Sequence, residues 1–356
     1  MIESELDDRI EDVFEEFDEQ AVAAASIGQV YRARLGEDAG RHAGLEVAVK
    51  VQYPGVAEAV RSDLQNLGLL LRVLKRIAPG MDAKAVSAEI KERLSDELDY
   101  EQEAQAQRTI ARQWRRHPFV VIPDVVTSLS RERVLVTEWV EGSSFEEVRK
   151  LDAEQRDRFG EIVFRFFNGS LYRNGFFSGD PHPGNYRLMD DGRVAFLDFG
   201  MTKQVSREHL AQEIAALRAV REDDADALHR TMAEMGYFDV DAAQIPKDRF
   251  IEHFRALTHW YVGGDELTVT SALVGQVVID MGDPRSEYWD MARHGTMPPD
   301  ALLARRMEML VLGVLGQLEA TADWSAIAAE WLFDEPPATP LGKLDAEFFG
   351  GQRSAA

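Results

Sequence analysis

Four short segments follow one another in a fixed order in this chain of 356 residues, and that order constrains the fold more than any other feature. An alanine-rich run leads into a predicted strand, and a Val-Ala-Val-Lys strand then ends at Lys50. The loop Asp-Pro-His-Pro-Gly-Asn spans 180–185, and Leu-Asp-Phe-Gly spans 197–200. Each segment is common by itself, so the information lies in the order and the spacing.

The alanine-rich segment predicts a tight turn before a strand. It fits the kinase phosphate-covering frame G-x-G-x-x-G-x-V at Gly28 and Val30, with alanine in place of the first two glycines. Small side chains let backbone N–H groups approach phosphate oxygens, although an ordinary packed turn is the alternative. The predicted nucleotide-contacting residues here are Ala23, Ala24, Ala25, Ser26, Gly28 and Val30.

Lys50 is the one charged residue facing inward on its strand, so it needs a counter-charge or a route to water. In a kinase the equivalent lysine holds nucleotide phosphates and pairs with a helix glutamate. The strand at 134–142 would then be the last strand of the small lobe. Its end would present backbone groups of Glu138, Trp139 and Val140 to the adenine.

The two later segments predict the reaction centre. Asp180 and Asn185 have the spacing of the catalytic aspartate and the metal-binding asparagine of a kinase catalytic loop. Asp198 is then the Asp-Phe-Gly carboxylate that binds Mg²⁺. His182 has no second histidine nearby, which favours a loop-bracing role over a metal-binding one. The short hairpin predicted over 186–198 fills the interval that this site requires.

The periodicity along the chain predicts an α+β, protein-kinase-like, two-lobed fold with inserted helices in the small lobe and a helical C-terminal extension. We expect a small lobe over 1–138, a large lobe over 139–235, and the extension and tail over 236–356. We also expect an amphipathic helix over 1–19, long helices over 56–77 and 83–114, and a frayed tail from 336.

Composition excludes several classes of function. The net charge of −23 argues against nucleic-acid binding, and the absence of cysteine excludes disulfides, cysteine-bound metals and thiol catalysis. The acidic first 20 residues do not resemble a targeting segment, and no apolar run is long enough to span a membrane. We therefore expect a cytoplasmic protein, able to associate transiently with a membrane surface or a quinone-synthesising complex.

The four segments, together with Glu-Leu-Asp-Tyr-Glu-Gln-Glu-Ala at 97–104, resemble the UbiB/AarF family of atypical kinases over about residues 10–235. The resemblance implies a kinase-like fold, ATP or ADP with Mg²⁺ as cofactors, and a link to isoprenoid-quinone and lipid metabolism. It also implies that Glu103 pairs with Lys50 and that Glu97 and Asp99 form an acidic pair near the nucleotide. The alternative is that these acids are solvated surface residues.

One feature departs from the UbiB/AarF family, and another departs from the protein kinases. The K-x-G-Q helix of the family occurs nowhere in this sequence, so a truncated chain, a misassigned start and an unregulated member all stay open. The helical pattern also resumes by Arg207, soon after Gly200, and no Ala-Pro-Glu follows. The sequence therefore leaves little room for a peptide-docking platform.

The sequence thus predicts an atypical kinase or ATPase with an unknown small-molecule or lipid-like acceptor. Two alternatives remain. One is a small-metabolite phosphotransferase of the antibiotic-kinase type, whose loop also reads Gly-Asp-x-His-Pro-Gly-Asn. The other is a nucleotide-binding scaffold without catalysis.

Overall fold

The computed structural model describes residues 1–60, 62, 98–238, 246–292, 295 and 297–355. Its strands are β1 (Phe14–Phe17), β2 (Ala23–Ala24), β3 (Gly28–Leu35), β4 (Glu46–Gln52), β5 (Val120–Val121), β6 (Val134–Glu138), β7 (Phe176–Ser178), β8 (Tyr186–Leu188), β9 (Val194–Phe196), β10 (Thr202–Gln204), β11 (Leu267–Thr268) and β12 (Thr321–Ala322).

The described α-helices are α1 (Ile2–Leu6), α2 (Ile10–Val13), α3 (Tyr100–Gln113), α4 (Phe145–Val148), α5 (Ala153–Gly169), α6 (Arg207–Arg221), α7 (Ala225–Glu234), α8 (Lys247–Thr258), α9 (Ser271–Gly282), α10 (Trp289–Ala292), α11 (Pro299–Leu318), α12 (Trp324–Leu332) and α13 (Pro340–Ala355). Residues 56–60 are also helical, and the rest of the helix expected over 56–77 lies almost wholly outside the described residues.

The N-terminal sheet is antiparallel, with the order β1-β3-β4-β6 and with β2 paired to the start of β3. Alternate residues of β4 face opposite sides, because the side-chain period of a strand is two. Val47, Val49 and Val51 pack with Ile2 and Phe14 in one apolar cluster. The other face of β4 is therefore left for Lys50.

The central helix α5 organises the rest of the molecule. All its residues from Phe159 to Gly169 are buried, as expected for a helix surrounded by other elements. The β8–β9 hairpin packs near it, with the Phe166 and Phe196 rings stacked at 3.8 Å between centroids. Strand β7 pairs with β10, so the two ends of the segment between Ser178 and Thr202 are held together. This pairing positions the loops that carry the predicted reaction centre.

The prediction of one helix over 1–19 is wrong. Asp7 adopts a left-handed backbone (φ 58°) that ends α1, and residues 14–17 form an edge strand. That strand pairs with β3, where Phe14 lies opposite Leu35. Sheet pairing outweighs the helical spacing of the apolar residues.

The prediction of one continuous helix over 83–114 is also wrong where the structure describes it. Leu98 is a turn residue, and Asp99 has extended backbone angles (φ −121°, ψ 95°). A new helix, α3, begins at Tyr100. The Asp99 carboxylate accepts hydrogen bonds from the N–H groups of Glu101 and Gln102, which is the usual reason for a helix to start at such a residue.

The segment expected to fray from 336 instead forms α13 and packs onto the α5 region. Asp345 is fully buried and contacts His117 at 3.0 Å, Arg173 at 2.5 Å and Arg165 at 3.3 Å. The Phe349 ring lies 5.4 Å from that of Trp114. Buried ion pairs and ring contacts thus order a segment whose proline and glycine content suggested disorder.

Within the described ranges, no helix combines the length and the apolar character needed to cross a bilayer.

Candidate active site

Lys50 lies between two carboxylates from distant parts of the chain. Its Nζ donates to both Glu103 carboxylate oxygens at 2.9 Å and to Asp198 Oδ2 at 3.1 Å. The Lys50 side chain is 14% exposed, Glu103 is 3% exposed and Asp198 is 28% exposed. The predicted contact of Lys50 with Glu103 is therefore present, and it joins strand β4 to helix α3 and to the Asp-Phe-Gly turn.

Burial and mutual charge set the protonation of this cluster. Burial raises the pKa of Glu103 to about 7, against the opposing pull of Lys50. Burial alone would lower the pKa of Lys50, but Asp198 and Glu103 outweigh it and hold the pKa of Lys50 above its ordinary value. For Asp198 the burial cost is outweighed by Lys50 and by the N–H of Gly200, so its pKa is lowered. Lys50 and Asp198 thus remain charged at neutral pH.

Of the predicted acidic pair of Glu97 and Asp99, the structure describes only Asp99. Asp99 serves as the cap of α3, and Gln102 Nε2 also donates to it at 3.1 Å. Glu97 lies outside the described residues. Tyr100, missed by the sequence analysis, places its ring 5.0 Å from Lys50 Nζ. An aromatic face at this distance stabilises the ammonium group.

The alanine-rich segment forms a tight hairpin, where the sequence predicts a tight turn before a strand. Ala23 pairs with Val30 through β2 and β3, and the N–H of Ala25 donates to Gly28 C=O at 2.9 Å. A Cβ at Gly28 would lie 2.2 Å from the Val51 C=O, so only glycine fits there. Ala23, Ala24 and Ser26 are exposed at the tip, where small side chains leave the backbone accessible.

The loop at 180–185 is braced by His182. Its Nδ1 accepts a hydrogen bond from the N–H of Gly184 at 3.1 Å, which agrees with the loop-bracing role expected for it. The N–H of Leu197 donates to Asn185 C=O at 3.0 Å, so the asparagine lies next to the strand that leads into Asp198. Asp180 is bonded neither to Lys50 nor to Asp198; its carboxylate contacts Arg306.

Asp198 and Asn185 suit a magnesium ion that also binds phosphate. Mg²⁺ in nucleotide sites takes one or two protein oxygen ligands and completes its shell with phosphates and water. Asp198 is ionised and partly exposed, and Asn185 is half-buried, with its backbone C=O bonded to the residue that precedes Asp198. Among the described residues no group of three His, Asp or Glu side chains forms a metal site.

The end of β6 carries the three residues that are predicted to contact a nucleotide base through their backbone groups. The N–H of Glu138 donates to Asp124 C=O and that of Trp139 donates to Glu46 C=O, both at 2.9 Å. In the part of the chain that the structure describes, the Val140 N–H has no such partner. Of the three predicted hinge residues, Val140 is thus the one with a donor left for a ligand.

Arg306 is a second residue of this site that the sequence analysis missed. From α11 its Nη2 donates to Asp180 Oδ1 at 2.9 Å and its Nη1 to Gly179 C=O at 2.5 Å. Leu303, one turn earlier, packs so closely on Gly179 that an added Cβ there would lie 2.5 Å away. The helical extension thus reaches the reaction centre. The sequence signal was an arginine doublet in a mostly apolar helix.

A strand lysine, a helix glutamate and an Asp-Phe-Gly aspartate that meet between a small antiparallel sheet and a helical region define an atypical protein-kinase-like fold. Comparison with known families agrees. Residues 1–232 match the ABC1 atypical kinase-like domain, and the chain belongs to this family. The resemblance to UbiB/AarF kinases is thereby confirmed.

Several relatives are similar to this chain. Protein ACTIVITY OF BC1 COMPLEX KINASE 8, chloroplastic, of Arabidopsis thaliana is 33% identical over 66% of the chain and 31% of its own length. Atypical kinase COQ8B, mitochondrial, of Rattus norvegicus is 32% identical over 64% of the chain and 42% of its own length. The match therefore spans less than half of each of these two proteins.

A solved structure extends the comparison to nearly the whole chain. Rv3197 of Mycobacterium tuberculosis, determined in complex with erythromycin, is 31% identical, with a TM-score of 0.73. The match covers 94% of this chain and 82% of that one. It includes the helical region after residue 232, which the family model leaves out. The kinase-like α+β fold predicted from the sequence is confirmed.

Proposed function

We propose that this protein is an ATP- and Mg²⁺-dependent phosphotransferase or ATPase that acts in isoprenoid-quinone or lipid metabolism. The observation that carries the proposal is the Lys50 ammonium held between Glu103 and Asp198. A buried three-charge contact is costly to build, and breaking it by removing one partner is destabilising. In a phosphotransfer site the same contact positions a cation for phosphates.

Each residue has a distinct part in the proposed chemistry. Bound Mg-ATP supplies the transferable phosphoryl group. Lys50 holds phosphate oxygens, and Glu103 keeps Lys50 in place. Asn185 and Asp198 hold the metal, and Asp180 orients the hydroxyl of the acceptor or of water. Such transfer depends mainly on positioning and charge neutralisation, so few groups suffice.

The short connection after the Asp-Phe-Gly turn supports a small acceptor over a peptide. From Gly200 the chain enters β10, which pairs with β7, and α6 begins at Arg207 with Ser206 as its cap. The interval is fully used by this pairing and cap. It offers no extended platform of the kind on which protein kinases hold a peptide.

One observation favours a second candidate acceptor. The Mycobacterium tuberculosis relative that aligns with 94% of this chain was solved with erythromycin bound. This supports including macrolides among the acceptors tested, in line with the antibiotic-kinase alternative. The scaffold alternative predicts nucleotide binding without turnover.

The test is Mg-ATP turnover measured beside the nucleotide-induced rise in melting temperature. We expect turnover in the wild type and its loss in Asp180→Asn, while the exposed hairpin variant Asp190→Asn keeps the wild-type rate. Stabilisation by nucleotide without turnover in the wild type would reject catalysis and favour the scaffold. Equal rates in both variants would remove Asp180 from the reaction centre.

Acceptor classes are separated with radiolabelled ATP. We expect negligible incorporation into an unrelated basic protein, which the net charge of −23 would attract rather than repel. Efficient, saturable labelling of that protein would indicate that the chain acts as an ordinary protein kinase. Labelling of erythromycin would favour the antibiotic-kinase alternative. An unchanged quinone profile in a deletion strain would contradict the proposed pathway.

A further inference from the structure

The helices that follow the Asp-Phe-Gly region line a cavity of about 260 Å³ that is partly open to solvent. Protein interiors rarely contain voids much larger than a water molecule, and an engineered apolar cavity of about 150 Å³ binds benzene. Helices α6, α8, α9 and α11 all contribute to its wall. The apolar wall includes Leu217, Met232, Phe250, Leu257, Trp260 and Met309.

The wall is adaptable as well as apolar. Five of the lining residues are methionines, whose unbranched side chains fit ligands of irregular shape. A space of this size with such a wall suits a small molecule of one or two fused rings or a short branched chain. Water gains little there, since it needs several polar partners.

One end of the cavity is polar and carries Arg305 between Glu213 and Glu308. Arg305 Nη2 donates to Glu213 Oε2 at 2.8 Å, and Nη1 donates to Glu308 Oε2 at 2.9 Å. The remaining carboxylate oxygens accept from hydroxyl groups. Tyr237 donates to Glu213 at 3.0 Å, and Tyr172 donates to Glu308 at 2.7 Å. Every carboxylate oxygen at this end is therefore already paired.

One donor at this end is left over. Arg305 Nε is shielded from solvent and has no hydrogen-bond partner among the described residues. A buried donor without an acceptor is costly, and a ligand oxygen would remove the cost. That oxygen should be uncharged, because two carboxylates flank the guanidinium and would repel an anion. A ketone, ester or quinone-type carbonyl meets both conditions.

We propose that this cavity binds an apolar small molecule that carries an uncharged carbonyl oxygen, which accepts a hydrogen bond from Arg305 Nε. The site is separate from the one at Lys50. Arg305 and Arg306 are neighbours on α11 but point to different partners, Arg305 to the cavity carboxylates and Arg306 to Asp180. The proposal does not depend on ATP turnover, so it can fail or succeed independently of the proposed function.

The probe for this site is prodan, a neutral naphthalene ketone whose emission moves to the blue in apolar surroundings. We expect saturable, blue-shifted binding to the full chain that excess Mg-ATP does not displace. The matched compound in which the ketone is a methylene should displace prodan about ten-fold less well, the effect of one lost hydrogen bond to a charged donor. This comparison needs no variant protein.

Two substitutions test the location. Leu257→Trp fills the cavity and should abolish prodan binding, whereas Leu310→Trp, at an exposed site on α11 outside the lining, should leave it unchanged. Melting curves establish that both variants fold. Undiminished binding to Leu257→Trp, or displacement by Mg-ATP, would overturn the cavity as the site. Equal displacement by the ketone and the methylene compound would overturn the role of Arg305.

Discussion

Arg306 offers the sharpest test of how the helical extension serves the reaction centre. Its two guanidinium nitrogens hold Asp180 Oδ1 and Gly179 C=O, so the carboxylate and its loop are fixed together. Arg306→Ala removes both bonds at once. Because the Arg306 side chain is 42% exposed and Asp180 is 29% exposed, the free energy of unfolding should change by no more than about 1 kcal/mol.

The catalytic effect should be much larger than the effect on stability. A displacement of about 1 Å in a catalytic group can cost roughly 100-fold in rate. That loss corresponds to about 2.7 kcal/mol in the activation barrier. The KM for ATP should stay within about threefold, since Arg306 contacts neither Lys50 nor the hinge residues.

The assay is steady-state ATP hydrolysis with parallel denaturant unfolding. Arg306→Lys should lie between the wild type and Arg306→Ala, because a single ammonium cannot form the planar two-point contact. Arg285→Ala serves as the control, since Arg285 is 75% exposed and pairs locally with Asp283. A kcat for Arg306→Ala that is unchanged or raised would refute the positioning role.

Three further predictions concern metal, packing and pH. Asp198→Asn should abolish both ATP turnover and its dependence on MgCl₂, and Mg²⁺-dependent turnover in that variant would exclude Asp198 from the site. Asp345→Ala should lower the free energy of unfolding by about 3–5 kcal/mol, because it leaves buried cations without their counter-charge. The exposed control Glu347→Ala should lower it by about 0.5 kcal/mol or less. Similar losses for the two variants in denaturant titrations would contradict this prediction. Burial holds the pKa of His117 below its ordinary value of 6.5. As the pH falls, the unfolded chain therefore takes up a proton at His117 before the folded chain does. The free energy of unfolding should then fall as the pH drops below about 6.5. His117→Gln should flatten that fall between pH 7 and pH 5, and an identical pH profile would rule His117 out.

Much of the reaction centre could be predicted from the sequence because its parts are local motifs. The Lys50 strand, the loop braced by His182 and the short path from Gly200 to Arg207 each depend on neighbouring residues. The contact of Lys50 with Glu103 was predicted only through family resemblance, since 53 residues separate the two. The order of the motifs can predict such contacts, whereas local periodicity cannot.

Three of the missed features depend on contacts between distant segments. Arg306 meets Asp180 across 126 residues, and no local pattern reports such a meeting. Asp345 occupies the buried face of α13, where a charge was not expected and the surrounding glycines suggested disorder. The edge strand at 14–17 was missed because pairing with β3 is also non-local. Sequence periodicity thus describes elements better than it describes their partners.

The burial of Arg165 has a consequence for how the molecule is made. Its guanidinium is fully enclosed by Glu161, Glu330 and Asp345, and Asp345 follows it by 180 residues. At roughly 5–20 residues per second, a ribosome needs about 10–40 s to travel from the first to the second. For most of that interval the helix around Arg165 lacks two of its three counter-charges, because Glu330 follows it by 165 residues. We therefore expect the nascent chain to depend on chaperones during synthesis, and slow codons downstream of α5 should lengthen its exposure to aggregation.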